Sequence, residues 1–189
     1  MDHIPTPSQT VGPYLAIGLT RKNSVPRIAG AAAKGERVRL TCRVLDGDGL
    51  PVNDAMLEVW QADADGRYHH PDDPAQGAAD PGCPGFGRMG TDENGCLQFE
   101  TIKPGCVAGP SGSLQAPHLN LLVFSRGLLR HQFTRIYFSG EPANQEDPVL
   151  ALVPAERRET LMARPYPSPG HWIFDVYLCG PHETVFFDV

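Results

Sequence analysis

Arg37-Val38-Arg39-Leu40-Thr41-Cys42-Arg43-Val44 is the stretch that decides the fold class of this chain. Its apolar residues occupy every second position and the arginines stand between them. A period of two is that of a half-buried β-strand, here with the basic side chains outward. Working outward, Asp46-Gly47-Asp48-Gly49 supplies turn chemistry, and Ala55-Met56-Leu57-Glu58-Val59-Trp60-Gln61 reads as the next strand. Similar turns recur at Asp63-Ala64-Asp65-Gly66 and at Asp92-Glu93-Asn94-Gly95, the latter leading into the strand Leu97-Gln98-Phe99-Glu100-Thr101. The Asp46 turn superficially looks like a calcium loop, but such a loop needs a bidentate glutamate at its twelfth position, which here is Leu57. A hairpin turn is the better reading.

Farther along, residues 118–124 form an apolar run fit for a buried strand. In residues 131–138, Gln132, Thr134, Ile136 and Phe138 alternate with Phe133, Arg135 and Tyr137. Residues 154–164 are the one good helix candidate, with Pro154 at the start and Pro165 as a stop. Strands are expected again at residues 172–179 and 185–189. Residues 71–88 form a loop rich in Pro, Gly and Asp, long enough to suggest function. Residues 1–13 contain Pro5, Pro7 and Pro13 and are predicted to be an extended arm that something else must hold. The expectation is a mainly β chain: an antiparallel β-sandwich with one short helix and long Pro/Gly-rich loops. Residues 1–35 are read as an N-terminal arm and lead-in, and residues 36–189 as a single domain.

Composition narrows the function. The 16 Lys and Arg against 22 Asp and Glu leave a net charge of −6, which offers no basic face for nucleic acid or an anionic membrane. Gly 20 and Pro 19 in 189 residues fit many turns, and 41% hydrophobic residues suffice for a core. The five cysteines, Cys42, Cys83, Cys96, Cys106 and Cys179, include no CxxC pair, so neither a disulfide framework nor a structural zinc site is expected. The first residues have neither the basic nor the apolar region of a signal peptide, and no run approaches the ~20 apolar residues that span a bilayer. A cytoplasmic protein with reduced thiols is the expectation.

Four motifs occur in order: Thr10-Val11-Gly12-Pro13-Tyr14; Leu57-Glu58-Val59-Trp60-Gln61-Ala62-Asp63-Ala64-Asp65-Gly66-Arg67-Tyr68; Thr101-Ile102-Lys103-Pro104-Gly105; and Pro117-His118-Leu119-Asn120. In this combination the chain resembles the intradiol ring-cleavage dioxygenases, from about Thr6 to the terminal Glu183-Thr184-Val185-Phe186-Phe187-Asp188. The resemblance implies a β-sandwich and a non-haem Fe(III) held by two tyrosinates and two histidines. Such an ion, a hard acid, prefers anionic oxygen donors. Carried over residue by residue, Tyr68 and His118 match ligand positions. Val107 stands where the second tyrosine is expected and Asn120 where the second histidine is expected. Valine has no donor and a neutral amide is a poor ligand for Fe(III), so no metal is expected on this chain.

The resemblance further implies a non-iron α subunit whose iron sits in a partner β subunit, within a higher hetero-oligomer, with no catalytic residue on this chain alone. Such a complex cleaves protocatechuate with O2 in aromatic catabolism. The implied substrate-cavity residues here are Thr10, Val11, Gly12, Pro13 and Tyr14 of the arm, together with Arg126. A guanidinium there would assist binding of a substrate that carries a carboxylate besides its catechol oxygens. The residues themselves leave other readings open. Tyr68 can simply pack on Trp60, His118 can be a hydrogen-bonded interior histidine, and Arg126 can be a surface ion-pair partner. Adjacent His69 and His70 would point to opposite faces of a strand, and nothing adjacent activates Cys106 as a nucleophile. A self-sufficient homo-oligomeric intradiol catechol dioxygenase and a non-catalytic β-sandwich binding module stand as alternative functions.

Overall fold

The computed structural model describes residues 5–73, 79–109 and 112–188. Residues 1–4 of the expected arm, 74–78 of the long loop and Val189 of the last expected strand lie outside the described residues.

The described chain is mainly β. Its strands are β1 (Arg37–Leu45), β2 (Met56–Gln61), β3 (Phe86–Gly90), β4 (Cys96–Ile102), β5 (Val107–Ala108), β6 (Leu114–Gln115), β7 (His118–Phe124), β8 (Gln132–Phe138), β9 (Met162–Pro165) and β10 (His171–Tyr177). Eight of them make one sheet in the order β3-β2-β7-β8-β9-β10-β1-β4, and β5 pairs with β6 in a separate two-stranded ribbon. β1 behaves as its alternation dictates: Val38, Leu40, Cys42 and Val44 are buried, whereas Arg37 and Arg39 are exposed. Those four residues join Leu57 and Val59 of β2, Phe99 of β4, Leu119, Leu121 and Val123 of β7, and Phe174 of β10 in one apolar cluster. Each such side chain contributes roughly 1.5–3 kcal/mol on full burial.

Three sequence expectations need correction. The sheet is mixed rather than purely antiparallel, since β1 pairs with β10, and β8 with β9, in parallel. Parallel neighbours need a long crossover. The chain between β8 and β9 provides it through 3-10 turns at Pro142–Gln145, Leu150–Leu152 and Ala155–Leu161. The helix expected over residues 154–164 is the last of these 3-10 segments and ends at Leu161. Met162–Pro165 is instead extended, because its backbone pairs with β8 on one side and β10 on the other and its Ala163 is buried in the main cluster. At the C-terminus, where a strand was expected over residues 185–189, the described residues make an isolated bridge, Phe133 with Phe187.

β3 begins inside the segment read as loop and runs two residues past it; Gly87 and Gly90 hide its strand character from a propensity argument. The lead-in is tied down by bridges from Val25 to Arg88 and from Arg27 to Glu100, and Ile28 is fully buried in the main core.

Candidate functional site

The two groups of sequence-predicted residues lie at opposite ends of β7. At its start, His118 and Asn120 alternate with the core residues Leu119 and Leu121 and so share one face of the sheet. Register places Asn120 between Trp60 of β2 and Arg135 of β8, and His118 opposite Tyr137. Tyr68 comes over this row from the turn after β2. Its ring stacks on Trp60 with centroids 6.1 Å apart and planes 6° from parallel, and its hydroxyl accepts a hydrogen bond from Asn120 Nδ2 at 3.3 Å. The edge of the His70 ring meets Trp60 as well.

Two glycines make this placement possible. Gly66 has φ +78°, and a Cβ there would collide with the Cys106 carbonyl. Gly105 comes equally close to the backbone of Ala64 and Gly66, and its N–H donates to the Asp63 carbonyl at 2.9 Å. The Tyr68 turn and the Gly105-Cys106-Val107 turn are thereby locked backbone to backbone. Buried Asp63 reinforces the first turn, its carboxylate accepting from the N–H groups of Asp65 and Arg67.

Between the two turns and the sheet lies a cavity of about 630 Å³, walled by Trp60, Tyr68, Val107, Leu114, His118 and Arg135 among others. Burial pushes the Tyr68 phenol above its ordinary pKa, so it stays protonated. Burial, then the nearby Arg135 charge, pulls His118 down to about 4, so its imidazole is neutral at pH 7. Nδ1 of that neutral ring lies 2.7 Å from the Ala116 carbonyl and therefore carries the proton, which leaves Nε2 as an acceptor. Arg135 donates from Nη1 to Gln115 Oε1 at 2.7 Å and more weakly to the Tyr137 hydroxyl at 3.4 Å, while its Nε is buried without a partner. Behind them the fully buried Asp147 accepts from Tyr137 Oη and from the N–H groups of Ala116, Val149 and Leu150. This network fixes the strand entry that carries His118.

The donors at this locus do not fit Fe(III). Val107 has none to give, and the Asn120 amide is turned toward Tyr68 as a hydrogen donor. The Arg135 guanidinium already supplies positive charge beside Tyr68. Cys106 does not compensate as a thiolate: burial and then the charge of Glu141 push its pKa up. His69 and His70 are both exposed, and His70 Nδ1 accepts from the Asp72 N–H at 3.2 Å.

The second locus lies past the far end of β7, about 20 Å from His118 at ~3.3 Å per strand residue. Here the arm docks: Thr10 Oγ1 accepts from the Gly127 N–H at 2.8 Å, and Val11 lines a cavity of about 540 Å³ with Phe124, Leu128, His131 and Phe187. Gly12 is extended and Pro13 opens a helical turn, Pro13–Leu15, which continues as a π-type turn over Ala16–Thr20. Tyr14 is 84% exposed. Arg126, its side chain 78% exposed, pairs with Asp54 at 3.0 Å. Tyr68 and His118 are thus brought together, whereas Thr10, Val11, Gly12, Pro13, Tyr14 and Arg126 gather elsewhere.

Sequence reasoning missed Arg135, Gln115 and Asp147 as parts of the first locus. The alternation of β8 showed that Arg135 shares a face with Phe133 and Tyr137, but the register that sets it beside Asn120 is not written in local sequence.

The chain belongs to the intradiol ring-cleaving dioxygenases: a dioxygenase family model matches residues 11–168. It is 48% identical to the protocatechuate 3,4-dioxygenase alpha chain of Burkholderia cepacia, over 97% of each chain. It is 37% identical to the beta chain of that enzyme from Burkholderia cepacia, over 79% of this chain and 67% of the other. In fold it is similar to the dioxygenase domain of a dioxygenase carbohydrate-binding protein fusion from Streptomyces sp. SirexAA-E. The TM-score there is 0.63 at 24% identity, with 94% of this chain and 99% of that one covered.

Proposed function

We propose that this chain is the iron-free subunit of a protocatechuate-cleaving intradiol dioxygenase, completing a substrate cavity whose Fe(III) is held by a β-type partner. The observation that carries this reading is the separation of the two loci. An arm some 20 Å from its own Tyr68 and His118 cannot close a cavity over them. Exposed Tyr14 and Arg126, with the docked Thr10, are instead available to a neighbouring chain. The missing donors at Val107 and Asn120 support the same reading, in which a second subunit bears the metal.

Fe(III) held by the partner would supply the Lewis acidity that readies the catechol ring for O2. The part of this chain is positioning. Arg126 faces the substrate carboxylate as a charge-assisted donor once it releases Asp54, a modest cost for an exposed ion pair. Backbone groups at Gly12 and Pro13, with the Tyr14 ring, wall the substrate and exclude water. The bond between the two hydroxyl-bearing ring carbons breaks, and each of those carbons gains one atom of O2 to become a carboxyl group. Protocatechuate and O2 thus account for every atom of 3-carboxy-cis,cis-muconate, with no external reductant. The same reading takes residues 1–35 as arm and lead-in, residues 36–189 as one folded unit whose sheet closes as a β-sandwich, the assembly as a higher hetero-oligomer and the compartment as the cytoplasm. Among the described residues no helix is long and apolar enough to cross a membrane.

The test is to titrate the purified chain into its iron-loaded partner and follow O2 uptake with protocatechuate. Activity should rise to a plateau at equimolar chains. Turnover by the partner that is indifferent to this chain would sink the assignment. A red, iron-containing preparation of this chain alone would favour a self-sufficient enzyme instead.

A further inference from the structure

We propose that the cavity walled by Trp60, Tyr68, Val107, Leu114 and His118 is a metal-independent binding site for a small aromatic carboxylate, held by the Arg135 guanidinium. Among the described residues Arg135 makes no ion pair; its hydrogen-bond partners, Gln115 and Tyr137, are neutral, and its Nε has none. A cation at the floor of a cavity whose direct partners are neutral, and which the Asp147 carboxylate reaches only through the Tyr137 hydroxyl, favours an anion there. Two further groups suit a hydroxylated ring. Tyr68 Oη, accepting from Asn120, keeps its own proton to donate, and His118 Nε2 is left as an acceptor. The remaining wall is aromatic or aliphatic: the stacked Trp60 and Tyr68 rings, buried Val107 and half-exposed Leu114. About 630 Å³ is ample for one benzenoid ring.

The acids of this cavity do not occupy the guanidinium. Asp65 pairs with Arg67 at 3.7 Å, Asp73 accepts the Tyr68 N–H at 2.6 Å, and the Asp72 side chain is 91% exposed. All three ride on the turn that forms the mouth, whereas Arg135 stands on β8 in the sheet. Where a metal would supply positive charge to a bound anion, this chain supplies a side chain that binds without activating O2. The site is separate from the cavity the arm would complete on a partner, and its test needs no partner and no iron.

The experiment uses the full chain, stripped with chelator and shown by near-ultraviolet circular dichroism to be folded. Equilibrium dialysis with 4-hydroxybenzoate should give saturable binding at one site per chain, unaffected by added chelator. Phenol, lacking the carboxylate, should bind at least ~10-fold more weakly. Fluorescence of Trp60 should respond, because Trp60 lines the cavity while Trp172 packs on Phe138 in β8. Arg135→Gln should lose at least ~10-fold in affinity. If that variant does not fold, Leu114→Trp, a change at a position 58% exposed, fills the mouth and should abolish binding. Absence of saturable binding, equal affinity for phenol, or undiminished affinity in folded Arg135→Gln or in Leu114→Trp would each overturn the proposal.

Discussion

Replacing Gly66 by alanine tests whether the two backbone turns are truly locked together. Gly66 has φ +78°, a left-handed conformation that costs an L-residue roughly 1–2 kcal/mol. The added Cβ would also collide with the Cys106 carbonyl, with the next carbon, Cys106 C, at 2.8 Å. Both atoms are backbone, so no rotamer change relieves the contact, and the turns must separate at a further cost of about 1–3 kcal/mol. The sum is about 2–5 kcal/mol, a large part of the ~5–15 kcal/mol that holds a domain folded. Gly127→Ala is the control: its φ is +89° but nothing lies within 4 Å of its Cβ position, so the conformational cost stands alone. At roughly 2–4 °C per kcal/mol for a chain of this size, calorimetry should find Gly66→Ala melting about 2–12 °C below Gly127→Ala. Emission from Trp60 should shift in the former only, as Tyr68 leaves its stack. Equal melting temperatures for the two variants would refute the backbone lock.

Three other outcomes follow from the same geometry. Arg126→Ala should weaken apparent protocatechuate binding in the reconstituted complex by about 1–3 kcal/mol while leaving this chain's melting temperature almost unchanged, since the Asp54 pair it breaks is exposed. An unaltered KM would remove Arg126 from the cavity. His118 titrates near 4 when folded and near 6.5 when unfolded. The unfolded chain therefore binds the extra proton first, and stability falls by up to ~3 kcal/mol as pH drops from about 6.5 to 4, with no change above that window. His118→Gln should flatten that part of the urea-denaturation profile against pH, and an equally steep profile in the variant would assign the slope to other groups. Asp147→Ala orphans three backbone N–H groups and the Tyr137 hydroxyl, so a loss of at least ~3 kcal/mol in chemical denaturation is expected. A loss under ~1 kcal/mol would mean that those donors find other partners.

Much of the fold and half of the site were legible in the chain itself. Alternation marked β1 and β8 because one face of each meets the core, and a two-residue period survives whatever the partner strands are. His118 and Asn120 share a face for the same local reason. β3 escaped notice because glycine occupies two of its five positions, so its strand state depends on pairing with β2 rather than on propensity. Residues 154–164 carry a proline at the start and a proline stop, as a helix would, yet Met162–Pro165 is strand because its backbone pairs with β8 on one side and β10 on the other.

By itself the sequence determined the β character, the proline-rich start of the chain, and that positions 107 and 120 hold a valine and an asparagine. These are properties of residue identity and short-range periodicity, and no packing can supply an oxygen to a valine. Only the tertiary structure decided that the arm and Arg126 sit a strand length from Tyr68 and His118, and that Arg135 stands beside the latter pair. Both depend on how strands distant in sequence are registered. That register is set by burial of the shared core and by paired backbone groups, neither of which a single stretch of chain contains.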